Sequence, residues 1–231
     1  MKELLLIDKP AGITSFDVIR RLRKKLGVKK MGRGLNLKIG HAGTLDPMAT
    51  GLMLVGVGEG TKELSRLLKL PKQYEAEILL GVQTDTGDMT GKIIESQKIH
   101  NVESGQIEKT LSEMVGELKL PVPAYSAIKQ GGEPLYKKAR RGEKVETPVR
   151  KMMVTAVRDI SVARNDIDIR VRATFDVESG TYIRSLAEEL GRRLGLPATL
   201  SALRRTKIGE YDIKDAETIE TSTPHHLRDR R

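Results

Sequence analysis

The chain has 231 residues, a formal net charge of +10 and a pI of about 9.7. A positive charge of that size favours polyanionic partners, although many basic proteins carry it for solubility alone. The sequence contains no cysteine, which excludes disulfides and thiol catalysis, and no apolar run approaches the length of a membrane span.

The N-terminal part of the chain predicts a strand, a helix and a loop. Residues 3–7 predict a buried strand, and the apolar run over 4–7 is too short for a signal-peptide core, so we expect a cytoplasmic protein. Thr14, with Asp17 three residues later, is typical of a helix capping box. We expect this helix to bury one apolar face, formed by Phe16, Ile19, Leu22 and Leu26. Residues 28–44 are basic and glycine-rich, which indicates a loop.

The middle of the chain predicts two strands, a helix and a turn-rich segment. Residues 52–57 indicate a short apolar strand, and residues 61–69 indicate a helix. Apolar and polar residues alternate from residue 74, which predicts a half-buried strand over 74–80. Its inward face is expected to consist of Tyr74, Ala76, Ile78 and Leu80. Residues 81–91 are rich in turn formers.

The second half of the chain predicts helices around a long β-hairpin. The expected helices cover residues 102–118, 134–141 and 179–194, and the first of them should bury Ile107, Leu111, Met114 and Val115. The expected strands, residues 149–162 and 167–177, belong to an antiparallel sheet with one covered face. We interpret residues 216–231 as a polar, basic and disordered tail.

Residues 40–51, GHAGTLDPMATG, are the most informative part of the sequence. One carboxylate, Asp46, lies in a run that holds three glycines and one proline, and His41 lies five residues before it. Glycine and proline at this density are typical where the backbone needs unusual angles or where a ligand approaches closely. From the residues alone, Asp46 is either a catalytic carboxylate or an ordinary turn residue.

This run resembles the catalytic motif of the TruB family of tRNA pseudouridine synthases, in which the aspartate is the nucleophile. The resemblance covers roughly residues 3–210, and its motifs occur in the order that the family shows. The further matching segments are residues 8–15, 72–76, 121–129, 179–186 and 203–206.

The resemblance implies an α/β (α+β) pseudouridine synthase fold, with a mixed, largely antiparallel central sheet flanked by helices. We expect one catalytic domain over residues 1–215, with an RNA-clasping insertion near residues 121–150. Bacterial members usually continue into a C-terminal RNA-binding domain of the PUA type, and we expect this chain to be a short form without that domain.

The resemblance also implies roles for individual residues. Asp46 is the expected nucleophile, Tyr74 is expected to stack on the flipped base, and Arg184 is expected to pair with the catalytic carboxylate. Contact with the RNA is expected from His41, Asp88, Tyr182, Leu203 and Lys9. Each of these residues also has an ordinary interpretation, such as a core tyrosine, a helix salt bridge or a turn aspartate.

The implied reaction is the isomerisation of a uridine in the T loop of tRNA, by resemblance uridine 55, after the base is flipped out of the RNA. It needs no redox step or group donor, so we expect no metal, no cofactor and no obligatory protein partner. The basic segments 20–30 and 137–144 are expected to contact tRNA phosphates. One alternative is a non-catalytic tRNA-binding or RNA-folding protein on the same scaffold. A third interpretation is a guide-RNA-dependent synthase that acts in a complex.

Overall fold

The structure is a computed structural model that describes residues 2–27, 37–99, 102–165 and 168–219. The chain divides into two compact units. Unit one takes its described residues from 1–74 and 203–231, and unit two consists of the described residues of 75–202. The two ends of the predicted 1–215 domain therefore belong to the same unit, and the predicted insertion near 121–150 belongs to unit two.

The described residues form the helices α1 (Ser15–Lys25), α2 (Leu64–Leu68), α3 (Ser104–Ser112), α4 (Leu135–Arg140) and α5 (Ile183–Leu194). They also form the strands β1 (Lys2–Lys9), β2 (Ile39–His41), β3 (Thr50–Gly58), β4 (Lys72–Leu80), β5 (Val82–Thr84), β6 (Ile93–Ser96), β7 (Gly116–Pro121), β8 (Lys129–Gln130), β9 (Glu133–Pro134), β10 (Val149–Arg164), β11 (Ile169–Val177), β12 (Ala198–Ile208), β13 (Tyr211–Asp212) and β14 (Glu217–Thr218). A 3₁₀ turn over Glu59–Glu63 precedes α2, and another covers Ile213–Asp215. None of the helices described here is long and apolar enough to cross a membrane.

Unit one is organised around β3, every residue of which is buried between its two ends. The antiparallel partner of β3 is β1, in a register that sets Lys9 opposite Gly51. Its parallel partner is the C-terminal half of β12, where Arg204 and Arg205 lie opposite Thr50 and Gly51. One core cluster of this unit consists of Ala42, Leu52, Leu54, Leu67 and Ile208. The 40–51 run therefore connects β2 to β3, and the buried cluster residues Ala42 and Leu52 lie near its two ends.

Helix α1 begins at the predicted capping box. The Asp17 backbone N–H donates to Thr14 Oγ1 at 3.0 Å, and the Asp17 carboxylate accepts from the Thr14 backbone N–H at 2.9 Å. The prediction that Phe16 is buried is wrong, because its side chain is 62% exposed. The buried stripe instead follows the i, i+3, i+4, i+7 spacing through Ser15, Val18, Ile19 and Leu22.

Unit two contains β4, β11, β10 and β7 in that spatial order, apart from the first residues of β4. The predicted hairpin is confirmed, since β10 and β11 pair antiparallel from Arg164 opposite Ile169. The predicted inward face of β4 is also confirmed, because all four of its residues are buried. Helix α3 packs against α5 and β10. Helices on mostly antiparallel strands occur in both units, which confirms the predicted fold class.

Several element boundaries differ from the predictions. Helix α3 ends at Ser112 instead of residue 118, because Gly116 has a φ of +116° and begins β7, and Val115 is 46% exposed. Helix α5 begins at Ile183 instead of residue 179. The turn-rich segment contains β5, which pairs with β6. The sequence analysis does not predict β12, because its adjacent arginines interrupt the apolar pattern.

Two predicted irregular segments contain strands. Part of the predicted 28–44 loop is β2, which pairs antiparallel with β3, and residues 28–36 lie outside the described residues. The predicted tail over 216–231 begins with β14, which pairs parallel with β1 at Ile7 opposite Glu217. Residues 220–231 lie outside the described residues.

Candidate active site

Asp46 occupies the first position of a tight turn in unit one. The Ala49 backbone N–H donates to the Asp46 carbonyl at 3.1 Å, and Pro47 occupies the second position, where its fixed φ suits a turn. The preceding residue is anchored to α1, because Ser15 Oγ accepts from the Leu45 backbone N–H at 2.8 Å and donates to the Leu45 carbonyl at 3.0 Å. The half-buried Asp46 side chain therefore projects from a turn whose backbone is fixed on its N-terminal side.

Lys9 supports the same turn from β1. Its fully buried ammonium donates to the carbonyl oxygens of Ile13 at 2.8 Å, Pro10 at 2.9 Å and Pro47 at 3.3 Å. Burial lowers the pKa of Lys9 from 10.5 to about 8, and the nearby Asp46 carboxylate opposes that shift. We predicted RNA contact for Lys9, but in the structure its ammonium donates these three hydrogen bonds to backbone carbonyls. We therefore reassign Lys9 to support of the Asp46 turn.

Arg205 in β12 contacts the backbone of the 40–51 run, and no role was predicted for it. Its fully buried guanidinium donates to the carbonyls of Leu52 at 2.8 Å, Gly43 at 3.1 Å and Thr44 at 3.5 Å. The only sequence signal for it is a pair of adjacent arginines that closes the family motif at 203–206. The neighbouring Arg204 differs, since it forms a two-pronged ion pair with the Asp8 carboxylate at 2.7 and 3.2 Å.

His41 ends β2 on the N-terminal side of the motif. Burial lowers the pKa of its imidazole below 6.5, and the positive charge of Arg205 lowers that pKa further. The ring is therefore mostly neutral at pH 7. Its Nδ1 atom is buried and has no hydrogen-bond partner within the described part of the chain.

Tyr74 and Leu203 belong to the same unit as Asp46. Tyr74 lies on the inward face of β4 with 9% of its surface exposed, and Leu203 lies in β12 with 8% exposed. A small exposed fraction fits an aromatic wall of a pocket and also fits a core residue. Burial alone does not separate these two roles, so both residues keep the roles implied by the resemblance as predictions.

Arg184 lies in the first turn of α5 in unit two and is almost fully buried. Its guanidinium donates to the carbonyls of Thr86 at 2.7 Å and Tyr125 at 3.0 Å, which joins the turn-rich segment to the predicted insertion. Burial raises the pKa of Glu188, one helical turn later, while the charge of Arg184 opposes that shift. Tyr182 is half-buried and forms the N-cap of the same helix.

Asp88 organises its own turn in unit two. Its buried Oδ1 accepts from Thr90 Oγ1 at 2.5 Å, the Thr90 backbone N–H at 2.9 Å and Thr86 Oγ1 at 3.0 Å. Its backbone bridges to Leu200 in β12. These contacts are those of an aspartate that stabilises a turn, which is the ordinary interpretation given above.

The predicted insertion carries an exposed basic helix. A hairpin of β8 and β9 turns through Gly131 and Gly132, both with positive φ, and leads directly into α4. Arg141 is paired with Glu133 and Glu143 at 2.6 Å each, so its charge is balanced. The other exposed cations of the predicted insertion are Lys129, Lys137, Arg140, Lys144 and Arg150. Of the basic segment 20–30, only residues 20–27 are described.

The chemistry that these groups offer is that of one carboxylate on a fixed turn. A carboxylate can act as a nucleophile or stabilise positive charge that develops on a sugar. Among the residues described, no three His, Asp or Glu side chains come together in a way that could hold a metal ion.

Comparison with known proteins identifies the family. Residues 23–183 match the family model of the TruB family pseudouridylate synthase N-terminal domain. The protein named tRNA pseudouridine synthase B in Leifsonia xyli is 42% identical over 226 residues, which cover 96% of this chain and 72% of that protein. The proteins of the same name in Xanthomonas campestris and Endomicrobium trichonymphae are 41% and 43% identical, and the matches cover 68% and 87% of their lengths. These matches confirm the predicted resemblance.

Solved structures agree with this assignment. The chain superposes with a TM-score of 0.65 and 25% identity on a protein of an H/ACA RNP bound to a substrate RNA containing 2′-deoxyuridine. A Cbf5-Nop10-Gar1 complex gives a TM-score of 0.64 at 27% identity. The match covers 94% of this chain in both cases, but only 51% and 52% of the solved chains, so the chain spans about half of their length. By its family match and its relatives, the chain belongs to the TruB family of pseudouridylate synthases.

Proposed function

We propose that this enzyme converts a uridine in the T loop of tRNA, uridine 55 by resemblance, to pseudouridine, with Asp46 as the nucleophile. The observation that carries the proposal is the Asp46 turn, which Lys9, Ser15 and Arg205 fix from three separate elements. A pure RNA-binding surface needs no carboxylate held in this way. The relatives named tRNA pseudouridine synthase B supply the substrate class.

The reaction is an isomerisation whose atoms balance within the nucleotide. The N1–C1′ bond breaks, the uracil turns, a C5–C1′ bond forms, C5 loses its proton and N1 gains one. The Asp46 carboxylate forms a transient covalent bond with the nucleotide, either at the sugar C1′ or on the base, and leaves again when the product forms. The two sites of attack give different adducts, which mass spectrometry of a trapped complex distinguishes.

The target base must leave its stack before the bond can break, at a cost of a few kcal/mol. We assign to Tyr74 the role of stacking on the flipped base and to Leu203 that of an apolar wall. The neutral His41, with a buried Nδ1 that binds no other described group, is assigned to the displaced RNA loop. For Arg184 we propose the role that the resemblance implies, which is to keep the catalytic carboxylate ionised.

The exposed cations of the insertion supply phosphate contacts that position the RNA without reading its sequence. A reaction without a guide RNA is favoured by the comparisons. The relatives at 41–43% identity are named as tRNA enzymes, whereas the H/ACA assemblies hold proteins that are only 25–27% identical to this chain.

The test is incubation of the purified protein with unmodified tRNA, followed by mapping of pseudouridine at single-nucleotide resolution. Asp46→Asn is the matched variant, because it is nearly isosteric and removes only the charge. We expect the wild type to modify one T-loop uridine, and Asp46→Asn to lose turnover by several powers of ten while it binds tRNA normally. Equal binding with no pseudouridine from either protein would favour the RNA-binding alternative instead.

A further inference from the structure

The buried guanidinium of Arg205 is hydrogen-bonded to the backbone on both sides of Asp46. Arg205 reaches from β12 to the carbonyls of Gly43 and Thr44, which precede Asp46, and to that of Leu52, which follows it. Within the described residues, all of its side-chain hydrogen bonds go to backbone carbonyls and none goes to a carboxylate. The guanidinium is therefore hydrogen-bonded to the backbone of residues 43, 44 and 52.

Packing alone does not account for such a residue. A buried charge without a counter-ion is costly, and an apolar side chain of similar volume would fill the same space at lower cost. The planar guanidinium carries five N–H donors in a fixed geometry and can bind carbonyls of separate residues at once. A lysine ammonium in the same place keeps the charge but offers a single nitrogen, whereas Arg205 binds the three carbonyls through three different nitrogens, Nε, Nη1 and Nη2.

The backbone of Arg205 also meets the motif. Gly51, the residue that pairs with it in the parallel strand, has a φ of +109°. A Cβ atom on Gly51 would lie 2.3 Å from the Arg205 carbonyl oxygen, so only glycine permits the observed approach. Side chain and main chain of one residue thus fix both ends of the segment that carries Asp46.

From these contacts we infer that Arg205 is a positioning residue of the isomerisation, which rests on the function proposed above: its guanidinium holds the backbone before and after Asp46, so that the carboxylate stays where the nucleotide reacts. A misplacement of about 1 Å costs about a hundredfold in rate when a reacting group depends on its position. The charge of Arg205 has a separate effect, because it lowers the pKa of His41 and of Lys9.

Two variants separate the geometry of the side chain from its charge. Arg205→Lys keeps the charge, and Arg205→Met removes it at similar length. The control is Phe175→Leu, which weakens the buried core of unit two and leaves the Asp46 segment untouched. Each protein is assayed below its unfolding temperature, for tRNA affinity and for the single-turnover rate of pseudouridine formation.

We expect both Arg205 variants to lose about a hundredfold in single-turnover rate, with tRNA affinity within about threefold of the wild type because phosphate contacts set it. Phe175→Leu should keep the wild-type rate. The pKa of His41, followed by NMR and assigned with His41→Gln, should rise in Arg205→Met and stay unchanged in Arg205→Lys. Wild-type turnover in either Arg205 variant, or an equal loss in Phe175→Leu, would overturn the inference.

Hydrogen exchange keeps the test decisive if Arg205→Met does not fold. In Arg205→Lys, the amides of Leu45 and Ala49 should exchange faster than in the wild type. Both lie between residues 44 and 52, whose backbone carbonyls Arg205 binds. Unchanged exchange there would refute the positioning role. A wild type that forms no pseudouridine would instead refute the proposed function, and the exchange and NMR results would still report on Arg205.

Discussion

At the scale of single residues, the candidate site consists of three buried polar side chains that hold the turn carrying the half-buried Asp46. The donors of Lys9, Ser15 and Arg205 end on backbone atoms around Asp46, and none of the three is placed to meet a substrate directly. The predicted roles of Asp46 and Tyr74 came from the family resemblance, because the residue pattern alone also fits a turn aspartate and a core tyrosine. The donors of Lys9 and Arg205 could not be assigned from the sequence, since a buried cation and a solvated one look alike in sequence.

Variants of Tyr74 distinguish a side chain that lines the substrate pocket from one that only fills the core. Tyr74→Leu should keep the fold and most tRNA affinity but lose nearly all turnover, because stacking on a flipped base contributes about 1–3 kcal/mol. Tyr74→Phe should retain most activity, since the ring remains. Tyr211→Leu is the control, because it makes the same change in a partly buried tyrosine that packs against the core cluster of unit one described above. Turnover near the wild-type level in Tyr74→Leu would refute the stacking role and show that Tyr74 is a core residue.

Lys9 gives a pH dependence with a defined sign. Its pKa is about 8 in the folded protein and 10.5 as a free side chain, so between these values the unfolded chain binds more protons. The contribution of Lys9 to the free energy of unfolding therefore rises as the pH increases from about 8 to about 10.5. Denaturant titrations of the wild type and Lys9→Met should show a stability difference that shifts in favour of the wild type over this range. A pH-independent difference would contradict the lowering of the Lys9 pKa by burial.

At the scale of elements, prediction succeeded where a local signal decides the structure. The capping box that starts α1 and the alternation that sets the buried face of β4 were both predicted, because each signal lies within a few adjacent residues. It failed where tertiary contacts decide. Strand β12 carries two arginines that its pattern marks as exposed, yet backbone carbonyls of β3 and the motif run bind Arg205 in the interior. Helix α3 ends at Ser112, ahead of the positive φ of Gly116, a local backbone feature that the apolar spacing over 102–118 does not reveal.

Two glycines show opposite consequences of the same change. Gly51→Ala should destabilise unit one strongly, since its Cβ would meet the Arg205 carbonyl at 2.3 Å and its φ is +109°. Gly105→Ala in α3 should stabilise the protein by about 0.5–1 kcal/mol, because the site is open and alanine is the better helix former. Thermal unfolding of both variants measures the contrast. Similar midpoints for the two would show that β3 and β12 do not approach as closely as the structure describes.

At the scale of the whole molecule, the cationic side chains divide into those paired with a carboxylate and those without an ion-pair partner among the described residues. Many cations balance a carboxylate, as Arg204 does with Asp8, and such pairs contribute little to the electrostatic field around the protein. The composition predicted a polyanionic partner but could not tell which cations face it. The structure offers one group of cations to test, because Lys137, Arg140 and Lys144 lie in or just after α4, are exposed and have no ion-pair partner among the described residues.

This distribution predicts the salt dependence of tRNA binding. Affinity should fall with salt on a log–log plot whose slope changes by about 0.7–0.9 for each phosphate that a cation neutralises. Replacing Lys137, Arg140 and Lys144 by glutamine should therefore flatten the slope by about 2–3, with the bound RNA still modified at the same uridine. The control replaces Lys62, Arg66 and Lys109, which are exposed but paired with neighbouring glutamates, and should leave the slope unchanged. An equal change in both triple variants would mean that general charge, and not the insertion, attracts the RNA.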